Sequence, residues 1–286
     1  MKRRYVDTRH GQLHVTDGGA ADDSGKAGLN GDTVLLMHWV PLSGRMYEHE
    51  LPVFAAAGVR ALAVDLMGFG RSDPREGPVW SVAQHADVLE DLLRELDARQ
   101  VTVVGGHYST PMAVELAQRE RAARSDVRRL VIDGGPMLPP EAFQALLQKA
   151  RLGSGPGLKD DGSHRTWLWD QAVHTFGMFA PQDFRLDDAH LPQVYGFIGD
   201  FIASGLRQDM SALQPYEFAS RLAAVELPTL VLTAETEPLR ASFEPMRQTR
   251  GDCTSHIFAG DHPINVPTRR GEFARTILEF IDRTHT

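Results

Sequence analysis

The segment Val101-Thr-Val-Val-Gly105-Gly106-His107-Tyr108-Ser109-Thr110-Pro111-Met112-Ala113 decides the fold of this chain of 286 residues. Its first four residues are apolar or β-branched, which is typical of a buried strand. Thr110 and Pro111 are residue types that favour the start of a helix. The sequence therefore predicts a sharp strand-to-helix turn with His107 at its apex and Gly106 relieving the crowding beside it.

Short apolar runs of the same kind recur along the chain. They lie at 33–37, 61–64, 101–104, 130–132 and 229–232. Such runs suit the strands of a parallel sheet, which are buried on both faces. Segments with helical spacing alternate with them, at 47–57, 82–96, 112–122 and 269–281. The alternation predicts an α/β fold with a doubly wound, mostly parallel sheet.

The alternation of strands and helices stops between about residues 139 and 214. Helical pieces rich in Trp, Phe and Leu occur there without strands. We therefore predict a helical lid at 139–214 that covers the carboxyl edge of the sheet. Residues 1–138 and 215–286 then form the core domain.

Composition and charge restrict the classes of function. The chain has 30 basic and 38 acidic side chains, a net charge of −8, and thus no excess positive charge for binding nucleic acid or an anionic bilayer. Cys253 is the single cysteine, which excludes an intrachain disulfide and a thiolate metal cage. The sequence shows neither a signal peptide nor an apolar run approaching the roughly 20 residues that span a bilayer. We expect a cytoplasmic protein, and self-association into a homo-oligomer stays open.

Several motifs resemble those of the α/β-hydrolase superfamily, over nearly the whole chain. His38-Trp39-Val40-Pro41 resembles its oxyanion loop, and Asp65-Leu-Met-Gly68-Phe-Gly70-Arg71-Ser72-Asp73 resembles its Asp-x-x-Gly-x-Gly-x-Ser-Asp segment. The turn at 101–113 is similar to the family's nucleophile elbow, Gly-x-Ser-x-Gly, with His107 in place of serine. The resemblance is closer still to members whose elbow reads Gly-x-His-Thr-Gly. It implies a hydrolase of a small molecule that uses no cofactor.

The resemblance also implies a catalytic histidine and an acid that orients it. His262, in Gly260-Asp261-His262-Pro263, stands where the family carries its histidine, and Glu237 stands in the place of the acid. Asp133 is the alternative acid, because some members place theirs after this earlier strand. Either carboxylate would bond one nitrogen of His262 and fix its tautomer. We favour Glu237.

Two departures from the family pattern alter the expected chemistry. His107 replaces the nucleophilic serine, so it can act as a short-lived acyl acceptor or as a base that activates water. A purely binding or structural role for His107 is the alternative. Trp39 replaces the glycine of the oxyanion loop, and we expect the backbone N–H groups of Val40 and Tyr108 to donate to a developing oxyanion.

Two further interpretations concern side chains near the elbow. Ser109, two residues beyond the apex, could be a displaced nucleophile or bind substrate, although serine there more often caps the following helix. His107, His262 and one carboxylate could form a metal site, but no ligand spacing supports it and family members generally lack metals. We therefore expect no metal and no cofactor.

The sequence thus predicts a cofactor-free hydrolase of an ester, thioester or activated carbonyl in a small, mostly apolar molecule, with His262 as general base. Two other functions remain open on the same scaffold. One is a cofactor-independent lyase or oxygenase in which His262 abstracts a proton. The other is a non-catalytic small-molecule binder, because function belongs to the site rather than to the fold.

Overall fold

A single sheet organises the chain in the computed structural model, which describes residues 1–19, 31–75, 80–119, 126–150, 159–178, 186–203 and 216–285. Its strands in the described ranges are β1 (Lys2–Thr8), β2 (Gly11–Asp17), β3 (Thr33–Met37), β4 (Arg60–Val64), β5 (Val101–Gly106), β6 (Val127–Asp133), β7 (Thr229–Ala234) and β8 (Thr254–Phe258). Their spatial order is β1-β2-β4-β3-β5-β6-β7-β8. The pairs β1–β2 and β2–β4 are antiparallel, and all the other neighbours are parallel. The predicted doubly wound, mostly parallel sheet is confirmed.

Helices cover both faces of the sheet. They are α1 (Leu51–Ala56), α2 (Val82–Glu95), α3 (Thr110–Arg119), α4 (Pro140–Ala150), α5 (Ser163–Met178), α6 (Leu191–Ala203), α7 (Phe218–Ala223), α8 (Phe243–Thr249) and α9 (Glu272–Arg283). Apolar side chains of α2, α3, α7 and α8 fill one core layer, and those of α1 and α9 fill the other. None of the helices in these described ranges has the length and apolar character needed to cross a bilayer.

Among the elements that differ from the sequence prediction, two have a clear physical reason. The helix expected from residue 47 begins at Leu51, because residues 44–47 instead form a 3-10 turn in which the Ser43 side chain accepts from the N–H of Arg45. β8 was not predicted. It is an edge strand with four exposed residues out of five, so it lacks the apolar run that marks the buried strands.

The described residues of the predicted lid contain the helices α4, α5 and α6. α5 and α6 share a small apolar core of their own, in which Phe197 and Phe201 are fully packed and Leu42 of the loop after β3 makes contact. No strand occurs among the described residues between 139 and 214. The exact division into core and lid stays a prediction.

The register of the sheet brings the functional candidates to one edge. Met37 at the end of β3 pairs with Gly105, and Gly106 pairs with Asp133 at the end of β6. The loop after β3, the turn after β5 and the end of β6 therefore meet at the carboxyl edge of the parallel strands. This edge is where open α/β sheets bind their ligands.

Candidate active site

His107 lies at the apex of the turn that the sequence predicts, and we refer to residues 105–109 as the elbow. β5 ends at Gly106, one 3-10 turn follows, and α3 begins at Thr110. The backbone φ of His107 is +50°, a left-handed conformation that is uncommon for residues other than glycine. Such conformations cluster at functional sites, where the surrounding structure holds them in place.

Glu237, in the turn after β7, is the partner of His107. Nε2 of the imidazole lies 3.0 Å from Oε1 of the carboxylate. Oε1 also accepts a hydrogen bond of 3.2 Å from the N–H of Leu239, which fixes the carboxylate. Oε2 is buried and has no hydrogen-bond partner among the described residues. Because a buried carboxylate needs compensation for its lost solvation, this geometry favours a positive charge on His107.

A second histidine–carboxylate pair lies deeper in the same edge. Nε2 of His262 lies 3.1 Å from Oδ1 of Asp133, and Nδ1 accepts a hydrogen bond of 3.4 Å from the N–H of Ile264. Since Nδ1 is an acceptor, the ring carries its hydrogen on Nε2 and donates it to Asp133. Both ring nitrogens of His262 are therefore used inside the fold.

The indole of Trp39 lies between the two imidazoles. It is parallel to His107, with ring centroids 4.1 Å apart and planes at 6°, and it meets His262 edge-on at 5.0 Å. Its Nε1–H donates to Oδ2 of Asp133 at 3.3 Å. A Cβ on Gly106 would lie 2.2 Å from the same nitrogen, so the indole fits only because residue 106 is glycine.

Accessibility separates the two pairs. The side chain of His107 is 13% exposed, whereas that of His262 is 2% exposed and those of Glu237 and Asp133 are at most 1% exposed. Within the two pairs, His107 is therefore the titratable group that a molecule entering from the sheet edge can touch.

The charges of the site shift two pKa values. Burial lowers the pKa of His107, but the charge of Glu237, the hydrogen bond with it and the charge of Asp133 outweigh burial and leave the pKa above its ordinary value. Burial raises the pKa of Asp133, and the charges of His262 and His107 together with the hydrogen bonds from His262 and Trp39 reverse that effect. Asp133 is therefore held as a carboxylate, and protonation of His107 is favoured.

The expected pairing of Glu237 with His262 is wrong in this structure. Asp133 occupies that place because it ends β6, beside the elbow strand, directly opposite His262. Glu237 extends instead from the turn after β7 to His107. The expectation that His262 itself contacts substrate as general base is not favoured either, since its two nitrogens face Asp133 and the backbone of Ile264.

The loop after β3 keeps a fixed conformation through His38. Nδ1 of His38 donates to the carbonyl oxygen of Trp39 at 2.8 Å, and Nε2 accepts from the N–H of Leu66 at 3.0 Å. Burial lowers the pKa of His38, in keeping with a neutral ring that donates once and accepts once. The same loop carries the backbone of Val40, which stays our expected oxyanion donor.

Ser109 does not face a substrate. It is fully buried, and its hydroxyl accepts from the N–H of Gly106 at 2.9 Å. Its single O–H is directed to the carbonyl oxygens of Met37 and Gly106, which lie 2.9 and 3.0 Å from Oγ. These bonds tie the elbow to β3. The interpretation of Ser109 as nucleophile or substrate-binding group is therefore wrong, and its described hydrogen bonds go to Met37 and Gly106 rather than to the first N–H groups of α3.

Tyr108 follows the apex, and its backbone N–H stays the second expected oxyanion donor. The ring points away from the sheet edge into the core, where it packs against Phe69 and His85 with centroids 6.1 and 6.3 Å apart. Within the described ranges, no group of three or more His, Cys, Asp and Glu side chains could hold a metal ion.

Sequence reasoning missed two features of this site. One is the His107–Glu237 pair, because the family pattern assigns the acid after β7 to the later histidine. The other is the use of Trp39 as a hydrogen-bond donor to Asp133. The signal for it was present in the sequence: a large indole stands at a glycine position of the family, and Gly106 stands beside the apex that faces it.

The architecture around the site is shared with known proteins. The family model described as "alpha/beta hydrolase fold" matches residues 32–155. A thermophilic esterase from Thermogutta terrifontis superposes with a TM-score of 0.73 at 20% sequence identity, and the match covers 100% of both chains. The fold of the chain is therefore the α/β-hydrolase fold.

Two known proteins are similar to this chain in sequence. The non-heme chloroperoxidase CPO-A1 of Kitasatospora aureofaciens is 27% identical over 272 residues, which cover 88% of this chain and 93% of that protein. A haloalkane dehalogenase of Mycobacterium marinum is 30% identical over 131 residues, which cover 46% of this chain. That match spans only 40% of the dehalogenase.

Proposed function

We propose that the protein is a cofactor-free hydrolase that cleaves an ester, thioester or activated carbonyl in a small, mostly apolar molecule, with His107 as its catalytic residue. One observation carries the proposal. The His107 imidazole stands at the apex of the elbow, partly exposed, with Nε2 3.0 Å from a buried carboxylate. A histidine oriented by a carboxylate is the usual general base of acyl-transfer enzymes.

The pairing with Glu237 decides which nitrogen reacts. Because Nε2 lies 3.0 Å from Oε1 of Glu237, a hydrogen on Nε2 faces the carboxylate and the lone pair of the neutral ring is on Nδ1. Nδ1 takes a proton from water while the water oxygen attacks the carbonyl carbon. The developing imidazolium is stabilised by Glu237 and by the face of Trp39.

The tetrahedral intermediate completes the reaction. Its negative oxygen accepts hydrogen bonds from the backbone N–H groups of Val40 and Tyr108, each worth about 3–4 kcal/mol of transition-state stabilisation. When the intermediate collapses, the bond to the leaving alcohol or thiol breaks and the leaving group takes the proton from Nδ1. His107 returns to its neutral form, and no step requires His262 to leave Asp133.

Direct attack by Nδ1 on the carbonyl is the variant of this mechanism that uses His107 as nucleophile. It forms an acyl-imidazole, which water then hydrolyses. Rapid quenching followed by mass spectrometry of the peptide that contains residue 107 separates the two routes. An acyl adduct on His107 identifies the nucleophile, and its absence at full turnover identifies the base.

The test compares matched substitutions in the two pairs, with chromogenic esters of graded acyl length as substrates. We expect His107→Gln to lower kcat/KM by about 10²–10⁴-fold, the usual contribution of a general base. His262→Gln keeps an amide N–H that can donate to Asp133, and it should retain activity within about tenfold once folding is verified by circular dichroism. Arg283→Gln, on the exposed end of α9, serves as the surface control.

An equal loss of kcat/KM in both glutamine variants, or a full loss only in His262→Gln, would contradict the assignment of His107 as the catalytic residue. Turnover of carbonyl compounds that bear an acidic C–H, without ester hydrolysis, would indicate a lyase or oxygenase instead. Tight ligand binding without any turnover would indicate a binder.

A further inference from the structure

A cleft of about 680 Å³ lies between the β1–β2 hairpin, the loop after β3 and helix α6. None of its lining residues belongs to the two histidine–carboxylate pairs of the candidate active site. Its volume falls within the range of small-molecule sites. The cleft is therefore a second place where this chain can hold a ligand.

Three arginines from distant parts of the sequence line this cleft. Arg3 comes from β1, Arg45 from the turn after β3, and Arg71 from the loop after β4. None of them forms an ion pair with any residue in the described ranges, whereas buried Arg129 is paired with Asp32 at 3.0 Å. Guanidinium groups gathered in this way suit the planar oxygens of carboxylate and phosphate.

Asp65 also lines the cleft, and its negative charge is compensated in part by hydrogen-bond donors of the fold itself. It accepts bonds of 2.8 Å from the N–H groups of Gly44 and Arg71 and lies 2.9 Å from Nδ1 of His14. His14 is 6% exposed, and its Nε2 is buried without a hydrogen-bond partner among the described residues. One buried polar nitrogen at the floor thus lacks a partner.

Two further acids, Asp200 and Glu48, stand at the rim. Asp200 of α6 accepts a hydrogen bond of 2.8 Å from the Ser43 hydroxyl, and burial raises its pKa to about 6, which weakens its charge in mildly acidic solution. Glu48 is exposed and lies 3.6 Å from His49. Neither acid forms an ion pair with an arginine of the cleft in the described structure.

We propose that this cleft binds a small anion by its carboxylate or phosphate group, held by the three arginines above His14. A ligand atom that reaches the floor would also satisfy Nε2 of His14. Ser43 and Gly44 line the cleft and continue the loop that carries Trp39 and Val40. The cleft and the elbow therefore border the same loop.

The experiment is calorimetric titration of the full chain with inorganic phosphate and with malonate, at constant ionic strength. We expect saturable binding of at least one probe, and the stronger probe identifies phosphate or carboxylate as the recognised group. Arg45→Gln and Arg71→Gln should each weaken binding about tenfold, the usual effect of losing one charge-assisted contact. Asp200→Asn should strengthen it, because a negative charge at the rim is removed.

Arg283→Gln is the matched control, since Arg283 is also an exposed arginine but lies on α9, where it pairs with Glu279. His14→Gln should weaken binding as well, and the exposed arginine variants decide the question if that variant does not fold. Absence of saturable binding, indifference to Arg45→Gln and Arg71→Gln, or an equal loss in Arg283→Gln would overturn the proposal.

Discussion

Nε2 of His107 lies 3.0 Å from Oε1 of Glu237, so the apical residue of the elbow has its own acid. Asp133 serves the later histidine, His262, at 3.1 Å. The candidate active site thus brings together two histidine–carboxylate pairs, one partly exposed and one buried. Because the pairs share no side chain, substitutions can separate their roles.

The acid limb of the activity profile depends on Glu237. A general base must be deprotonated to accept a proton. Because the pKa of His107 lies above its ordinary value of 6.5, kcat/KM should rise with pH through a midpoint above 6.5. Glu237→Gln removes the charge that raises this pKa and leaves burial, which lowers it. The limb should move to lower pH while the plateau falls. An unmoved midpoint in the pH–rate profile would contradict the pairing.

Substituting serine at the apex should not create a serine hydrolase. The hydroxyl introduced by His107→Ser would need a free histidine nitrogen as base, but those of His262 face Asp133 and Ile264, and Trp39 lies between. We expect no gain in ester hydrolysis, measured with the same graded esters. A burst of product from acylated enzyme would show that His262 turns toward the apex.

Trp39→Phe tests the hydrogen bond from the indole to Asp133. The phenyl ring can still stack on His107, but it carries no N–H. The buried Oδ2 of Asp133 therefore loses its hydrogen-bond donor. We expect the free energy of unfolding in urea to fall by about 1–3 kcal/mol, the cost of leaving a buried acceptor unsatisfied. Trp169→Phe is the control, because that indole packs near Tyr195 in α6 and makes no described hydrogen bond. A loss no greater than the control's would mean that the bond contributes little.

Gly106→Ala should damage the site through a single methyl group. The added Cβ would lie 2.2 Å from Nε1 of Trp39, so the indole must move away from Asp133. We expect a loss of about 1–3 kcal/mol of stability, as for other overpacked cores, together with a loss of activity. Gly177→Ala in α5 has open space for its Cβ and should leave stability unchanged or raise it slightly. Equal behaviour of the two variants in thermal unfolding would refute the steric argument.

His85 should make the chain acid-sensitive. It is fully buried beside Trp80 and Tyr108, neither ring nitrogen has a partner in the described structure, and burial lowers its pKa to about 3. A histidine with a depressed pKa takes up a proton more readily when unfolded, so the protein loses stability as pH falls from about 6.5 toward 3. The His85→Phe variant should lose less stability over the same pH range. Parallel melting temperatures of the two proteins from about pH 7 to about pH 4 would exclude the effect.

The fold was predictable because its signals are local. Runs such as 33–37 and 229–232 indicate buried strands from their composition alone. Two glycines directly before His107 indicate the sharp turn of the elbow. Edge strand β8 was not predictable, since exposed residues such as His256 carry no burial pattern.

The pairing within the site could not be read from the sequence for a different reason. Asp133 and Glu237 stand at the ends of neighbouring strands, so both carboxylates reach the same sheet edge. Which histidine each one meets depends on side-chain directions and on the volume of Trp39. Spacing along the chain contains neither quantity.

The contact between Gly106 and Trp39 restricts how such a site can be inherited. Any side chain at 106 collides with the indole, and a glycine at 39 would remove a donor from Asp133 and the surface on which His107 lies. The effects of substitutions at residues 39, 106 and 107 should therefore not add up when the substitutions are combined, because each one changes the contacts of the other two. A lineage that passes from serine to histidine at the apex is expected to carry residues 39, 106 and 107 as one linked set, and descendants should keep or lose them together.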